Sequence, residues 1–106
     1  MMRDEGVKVV RSQGVRSEDP ENRLRSEGLT PRTWANGPGH RYGPHTHPYE
    51  KVLYCLSGSI VFHTPGGDVA LGPGDRLELD PEVEHAATVG DTGVECVEAA
   101  RPSPSR

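Results

Sequence analysis

The stretch GHRYGPHTHPYEKVLYCLSG, residues 39–58, decides how this chain is read. On extended backbone, residues two apart point to the same face, so His45 and His47 share one side of a strand. Two imidazoles on one face can reach one metal ion. A helical site would instead space its histidines at i and i+4. Immediately after the pair, residues 52–56 are apolar at both parities, which calls for a strand covered on both faces. Glycine closes the stretch at position 58.

A third histidine arrives through a second pattern. From Arg76 to His85, charged residues alternate with apolar ones: Arg76, Glu78, Asp80, Glu82 and Glu84 against Leu77, Leu79, Pro81 and Val83. A period of two predicts a strand, or a strand and a turn, with one wet face. By parity His85 falls on the buried side with Leu77 and Leu79, and the acidic alternation reads as a solvated strand face. Pro81 marks a break nearby. A histidine aimed into a core needs a partner, because imidazole is polar.

The totals fit one small domain with a thin core. Among 106 residues, 32% are hydrophobic, so a metal or a second subunit is expected to supplement the fold. Thirteen glycines and ten prolines favour turns and short strands over helices. Residues 68–98 hold nine acids against one base, Arg76, and there is no basic stripe. Nucleic acid is therefore not an expected partner. The N-terminal residues carry no apolar run and no segment has the length of a membrane span, so the expectation is a cytoplasmic protein without a leader or a membrane partner. Cys55 and Cys96 lie in apolar runs and read as buried thiols, too few for a disulfide scaffold, with a redox or nucleophilic cysteine as the less favoured alternative.

Along the chain, Val7, Val9 and Val10 suit a short edge strand. Asp19 and Pro20 open a short helix that runs to Glu27, with Gly28 closing it. Strands are expected at 31–36, 41–47, 51–57, 59–64, 68–71, 76–80, 84–89 and 93–99. The turn signals between them are those of a sandwich or barrel. The expected organisation is an N-terminal arm with a short helix over 1–31, a β-barrel over 32–100 and a disordered tail over 101–106. Low apolar content and the doubly apolar strand suggest a homodimer, with the arm adding to the interface. Trp34 is expected to pack against the barrel or a partner subunit. Tyr42, Tyr49 and Tyr54 suit a pocket mouth or a core equally, and His40 and His63 read as surface or strand residues.

These motifs resemble those of the cupin superfamily. Its first motif runs glycine, five residues, His-x-His, three or four residues, glutamate, six residues, glycine; here Gly39, His45, His47 and Gly58 fall in place. The second opens with Pro-Gly-Asp, here Pro73, Gly74 and Asp75, and reaches a histidine, here His85. The resemblance covers residues 32–100 and implies an all-β, cupin-type jelly-roll β-barrel with the short N-terminal helix outside it. Three positions depart from the pattern. Lys51 stands where the family has its glutamate ligand, and a protonated lysine has no lone pair to give. Asp80, Pro81 and Glu82 replace Pro-x-Gly, and Val89 replaces an asparagine.

Three neutral imidazoles at His45, His47 and His85 suit one divalent transition metal: zinc, nickel, iron, manganese or copper. Glu50 is the alternative carboxylate ligand if the chain bulges after Pro48. Strict alternation instead points Lys51 inward, where it would meet an anion and act as the catalytic cation. The two readings stay open at this stage. The resemblance implies either a metal-dependent enzyme of dioxygenase, isomerase or lyase type acting on a small anionic metabolite, or a non-catalytic small-molecule binding or sensor module.

Overall fold

The computed structural model describes residues 6–12 and 19–102; residues 1–5 and 13–18 of the arm, and 103–106 of the expected tail, lie outside the described residues. In chain order the elements are β1 Val7–Val10, α1 Pro20–Ser26, β2 Arg32–Asn36, β3 Arg41–His45, β4 Glu50–Thr64, β5 Gly67–Leu71, β6 Arg76–Leu79 and β7 His85–Arg101. Among the described residues the observed fold is therefore the all-β jelly roll with one short helix, its sheet not closed into a complete barrel. None of its described helices is long and apolar enough to cross a membrane.

Two long antiparallel strands, β4 and β7, form the spine and pair along almost their whole length. The sequence splits each into two strands at glycine-rich signals, and the structure joins them. Register shifts between Cys55 and Ser57 and between Gly58 and Ile60 bend the spine without ending it. Gly58 and Gly93 take the left-handed conformation there, at φ 75° and 85°, which only glycine adopts at little cost. The first half of β4 pairs with β6, and its second half with β5. Correspondingly, β7 pairs with β3 near its start and with β2 near its end. The bent sheet folds over a core that includes Leu53, Ile60, Phe62, Leu71, Leu77 and Leu79.

Val52 and Leu53 are both fully buried, as the doubly apolar strand requires. The chain's own helix covers the outer face. Asp19 caps α1 by accepting from the Asn22 N–H, Pro20 occupies its first turn, and Leu24 packs with Val52, Val97 and Ala99. Val7–Val10 pairs antiparallel with β6 of the same chain.

The solvated face expected for the acidic alternation is not what β6 presents. All four of its residues are buried, Arg76 and Glu78 included. Their charge is matched beneath α1. Arg76 donates to Glu27 at 2.8 and 2.9 Å, to Glu78 at 2.9 Å and to the Tyr54 hydroxyl at 2.9 Å. Arg101, assigned by the sequence to a disordered tail, is the last residue of β7 and donates to Glu27 at 2.8 Å. Buried charges persist only when paired in this way. The Arg76 guanidinium holds the Glu27 carboxyl down to a pKa of about 2.

Candidate metal centre

The three histidines meet where β3 and β7 begin to separate. His45 ends β3, His85 begins β7, and the two are register partners. His47 follows two residues later on the same side, so the i, i+2 reading of the sequence is realised. Ring centroids stand 4.3 Å apart for His45 and His85, 4.8 Å for His45 and His47, and 5.2 Å for His47 and His85. One nitrogen from each lies within 4.8 Å of the others. Two nitrogens on one ion stand at most about 4.2 Å apart, so side-chain adjustment on the order of an ångström brings all three to a common ligand distance.

Hydrogen bonds set the rings for this purpose. The Nδ1 of His85 faces the Val83 carbonyl at 3.0 Å, and that of His45 faces the Gly43 carbonyl at 2.7 Å. A carbonyl accepts only, so each Nδ1 carries the proton and each Nε2 keeps its lone pair. Among the described residues, the buried side-chain polar atoms without a partner are the Nε2 atoms of His47 and His85. A metal ion would satisfy both. Burial, aided by the charges of Lys51 and the neighbouring histidines, lowers the pKa of His85 to about 4. Burial also lowers the pKa of His47, with Lys51 and His45 adding to the effect. Both are neutral near pH 7, and neutral imidazole is the form that ligates.

The loop before His85 is tied to His47. Glu82 takes φ 67° at the position where the cupin motif has glycine, and its N–H donates to the His47 carbonyl at 2.7 Å. Tyr49 stacks on the His47 ring at 4.8 Å and 20°, holding it from outside.

The histidines open into a cavity of about 310 Å³, which Trp34, Tyr42, Phe62 and Ala87 line with apolar and aromatic surface. Its charged groups are Arg32, Lys51 and Glu98. Lys51 points inward, as alternation requires, and its ammonium lies 3.0 Å from Glu98. The Trp34 indole N–H donates to the same carboxylate at 2.9 Å. Glu98 was not singled out from the sequence. The signal was its phase with Val94 and Cys96, which places it on the inward face of β7.

Glu50 is not brought to the cluster. Glu50 opens β4 in register with Arg101, and its carboxylate accepts from that guanidinium at 3.0 Å. His63 also stays apart, its ring bridging Asp68 at 2.8 Å and Thr88 at 2.9 Å. His40 is exposed and packs edge-on against Tyr42.

A seven-stranded jelly roll with three histidines at its mouth defines a class, and the family model described as "Cupin domain" matches residues 33–99. The chain belongs to that family. It is 31% identical over 77 residues to 3-hydroxyanthranilate 3,4-dioxygenase of Burkholderia lata, a match that covers 69% of this chain and 44% of the relative. The chain thus spans less than half the length of that enzyme. Among solved structures it resembles the DMSP lyase DddQ of Ruegeria pomeroyi, 25% identical, with a TM-score of 0.65 over 74% of this chain and 40% of the other. A cupin 2 domain-containing protein of Halorhodospira halophila matches 94% of this chain and 80% of its own at a TM-score of 0.72 and 15% identity, which is a likeness of fold.

Proposed function

We propose that this cupin is a metal-dependent enzyme acting on a small anionic metabolite. The reading rests on one observation: the partnerless Nε2 atoms of His47 and His85 converge with His45 at the mouth of a largely apolar cavity. His45, His47 and His85 would hold one divalent ion of zinc, nickel, iron, manganese or copper. Bound there, the ion would act as a Lewis acid toward an oxygen of the ligand, or as the centre for dioxygen chemistry.

The rest of the site belongs to the chain. Three imidazoles add no negative charge, and Lys51 stands where a fourth, anionic ligand would neutralise the ion. The site therefore keeps a positive charge that a ligand carboxylate or enolate complements. Glu98 and the Trp34 indole fix the Lys51 ammonium, so the cation is preorganised. Arg32 adds a second cation to the lining. Phe62, Trp34 and Ala87 exclude water around the bound ligand and strengthen these charge contacts. The relatives support a dioxygenase or lyase type of reaction: the Burkholderia lata enzyme is a dioxygenase of 3-hydroxyanthranilate, and the Ruegeria pomeroyi protein is a lyase.

Elemental analysis of the purified protein, followed by zinc titration of the chelator-stripped chain, tests the site. One equivalent of metal is expected, lost in the His47→Ala/His85→Ala double variant. Equal metal content in that variant and wild type would place the site elsewhere.

A further inference from the structure

The two cysteines stand opposite each other. Cys55 of β4 and Cys96 of β7 are register partners, both fully buried and both free thiols. The backbone of Cys55 shows which kind of pair they form. Its N–H donates to the Asp75 carbonyl at 3.1 Å, and its carbonyl accepts from the Gly74 N–H at 2.8 Å. Both groups therefore point away from β7, which makes Cys55–Cys96 a non-hydrogen-bonded cross-strand pair. Such pairs hold their Cα atoms about 4.5 Å apart with side chains on one face, inside the roughly 4.4–6.8 Å range that a disulfide spans.

We propose that Cys55 and Cys96 are a redox-active dithiol that closes to a cross-strand disulfide. The thiols already interact: Cys96 hydrogen-bonds to Cys55, which lowers the pKa of Cys55 and raises that of Cys96. The pair therefore loses its first proton more readily than its second. With a peroxide as oxidant, the Cys55 sulfur attacks one peroxide oxygen. The O–O bond breaks, Cys55 becomes a sulfenic acid, and one water leaves. The Cys96 sulfur then attacks the Cys55 sulfur, the S–O bond breaks, and a second water carries off the remaining thiol proton. Two thiols and one hydrogen peroxide give one disulfide and two waters.

The pair's position links it to the site. Cys96 is the register partner of Trp34, which lines the cavity and holds Glu98. Cys55 lies four residues along β4 from Lys51. A bond between the sulfurs clamps the spine beside its register shift, two residues along β7 from Glu98.

The test uses the full chain, stripped of metal so that bound metal does not catalyse thiol oxidation. Hydrogen peroxide should lower the intact mass by two hydrogens, and digestion should recover a peptide joining Cys55 to Cys96. Melting should rise by about 5 °C or more in the oxidised chain and return to its starting value with reductant. Cys96→Ser should gain oxygen on Cys55, and neither Cys55→Ser nor Cys96→Ser should form the disulfide or gain its rise in melting. Survival of both wild-type thiols at a peroxide dose that oxidises the denatured chain would overturn the proposal. So would gain of oxygen without loss of two hydrogens, or disulfides found only between chains.

Discussion

The Glu82 N–H and the His47 carbonyl are joined by a 2.7 Å hydrogen bond, which ties the loop before His85 to the segment carrying the other two histidines. Glu82 makes this bond from φ 67°, a conformation that strains a residue with a Cβ. Its side chain is exposed. Glu82→Gly should therefore stabilise the chain by about 0.5–1 kcal/mol and leave zinc affinity intact. Glu82→Val should cost about 1–2 kcal/mol and loosen zinc, because the loop must shift to relieve the β-branched side chain. Urea unfolding and zinc titration of the two variants check this. A destabilised Glu82→Gly would mean that the strain is absent.

A second prediction separates crowding from backbone strain. A Cβ on Gly58 would stand 2.0 Å from the Gly93 carbonyl oxygen, whereas one on Gly28 meets nothing within 4 Å. Both glycines have positive φ, 75° and 82°. Gly28→Ala should cost about 1 kcal/mol from conformation alone. Gly58→Ala must also part the two spine strands, so it should cost about 3 kcal/mol or more. Equal losses in thermal denaturation would mean that the close approach does not constrain the spine.

Much of the site was legible in the sequence because it rests on local rules. His45 and His47 share a face by the period of extended backbone, and parity carried His85 to the buried side. Lys51 pointed inward for the same reason. Parity could not show which outer faces are covered. Arg76 and Glu78 alternate as a wet strand does, yet α1, more than forty residues earlier in the chain, roofs them and supplies Glu27. Likewise Gly58 and Gly93 read as turns, because a bend that keeps its pairing has the same residue signature as a turn that ends it. The meeting of Glu98 with Lys51 and of Cys55 with Cys96 depends on the β4–β7 register, a relation between segments about forty residues apart that local pattern does not encode.

The metal-free protein should weaken in mild acid because of His85. Its folded pKa is depressed to about 4 from an ordinary 6.5, so the unfolded chain binds the proton more readily. The stabilisation is present above pH 6.5 and is lost as pH falls toward 4, amounting to roughly 3 kcal/mol at most. Zinc should oppose this loss until protons compete it away. Urea midpoints of the stripped chain at pH 7, 5.5 and 4.5 should therefore fall more steeply in wild type than in His85→Phe. Parallel curves would refute a neutral buried His85.

Glu27 has the same sign by a different route. Its pKa of about 2, against 4.5, means that the folded state favours the carboxylate. That stability is present above pH 4.5 and disappears as pH falls toward 2. Glu27→Gln leaves Arg76 buried with its charge poorly matched, and should cost about 2–4 kcal/mol at pH 7. Because Glu27 is remote from the histidines, zinc stoichiometry should be unchanged once the variant is folded. Loss of metal with full stability would show the network reaching into the site.

Lys51 carries the most specific prediction about function. Its ammonium stands 3.0 Å from Glu98, inside the cavity that the histidines share. A divalent ion held by His45, His47 and His85 would feel that positive charge. Lys51→Glu removes the repulsion and places a second carboxylate beside Glu98, so zinc should bind at least about tenfold tighter, a gain of about 1.4 kcal/mol. In the stripped chain the same change sets two carboxylates together, and melting should fall until zinc is added. Binding of a small carboxylate probe such as benzoate to the zinc-loaded protein should weaken, because a cation is lost and an anion gained. Glu50→Gln provides the contrast. It breaks the pair with Arg101 and should lower stability modestly, leaving zinc affinity within about twofold of wild type. Zinc and benzoate titrations of the two variants separate the roles. Zinc lost by Glu50→Gln and untouched by Lys51→Glu would make Glu50 the fourth ligand, and Lys51 would then have no part in the site.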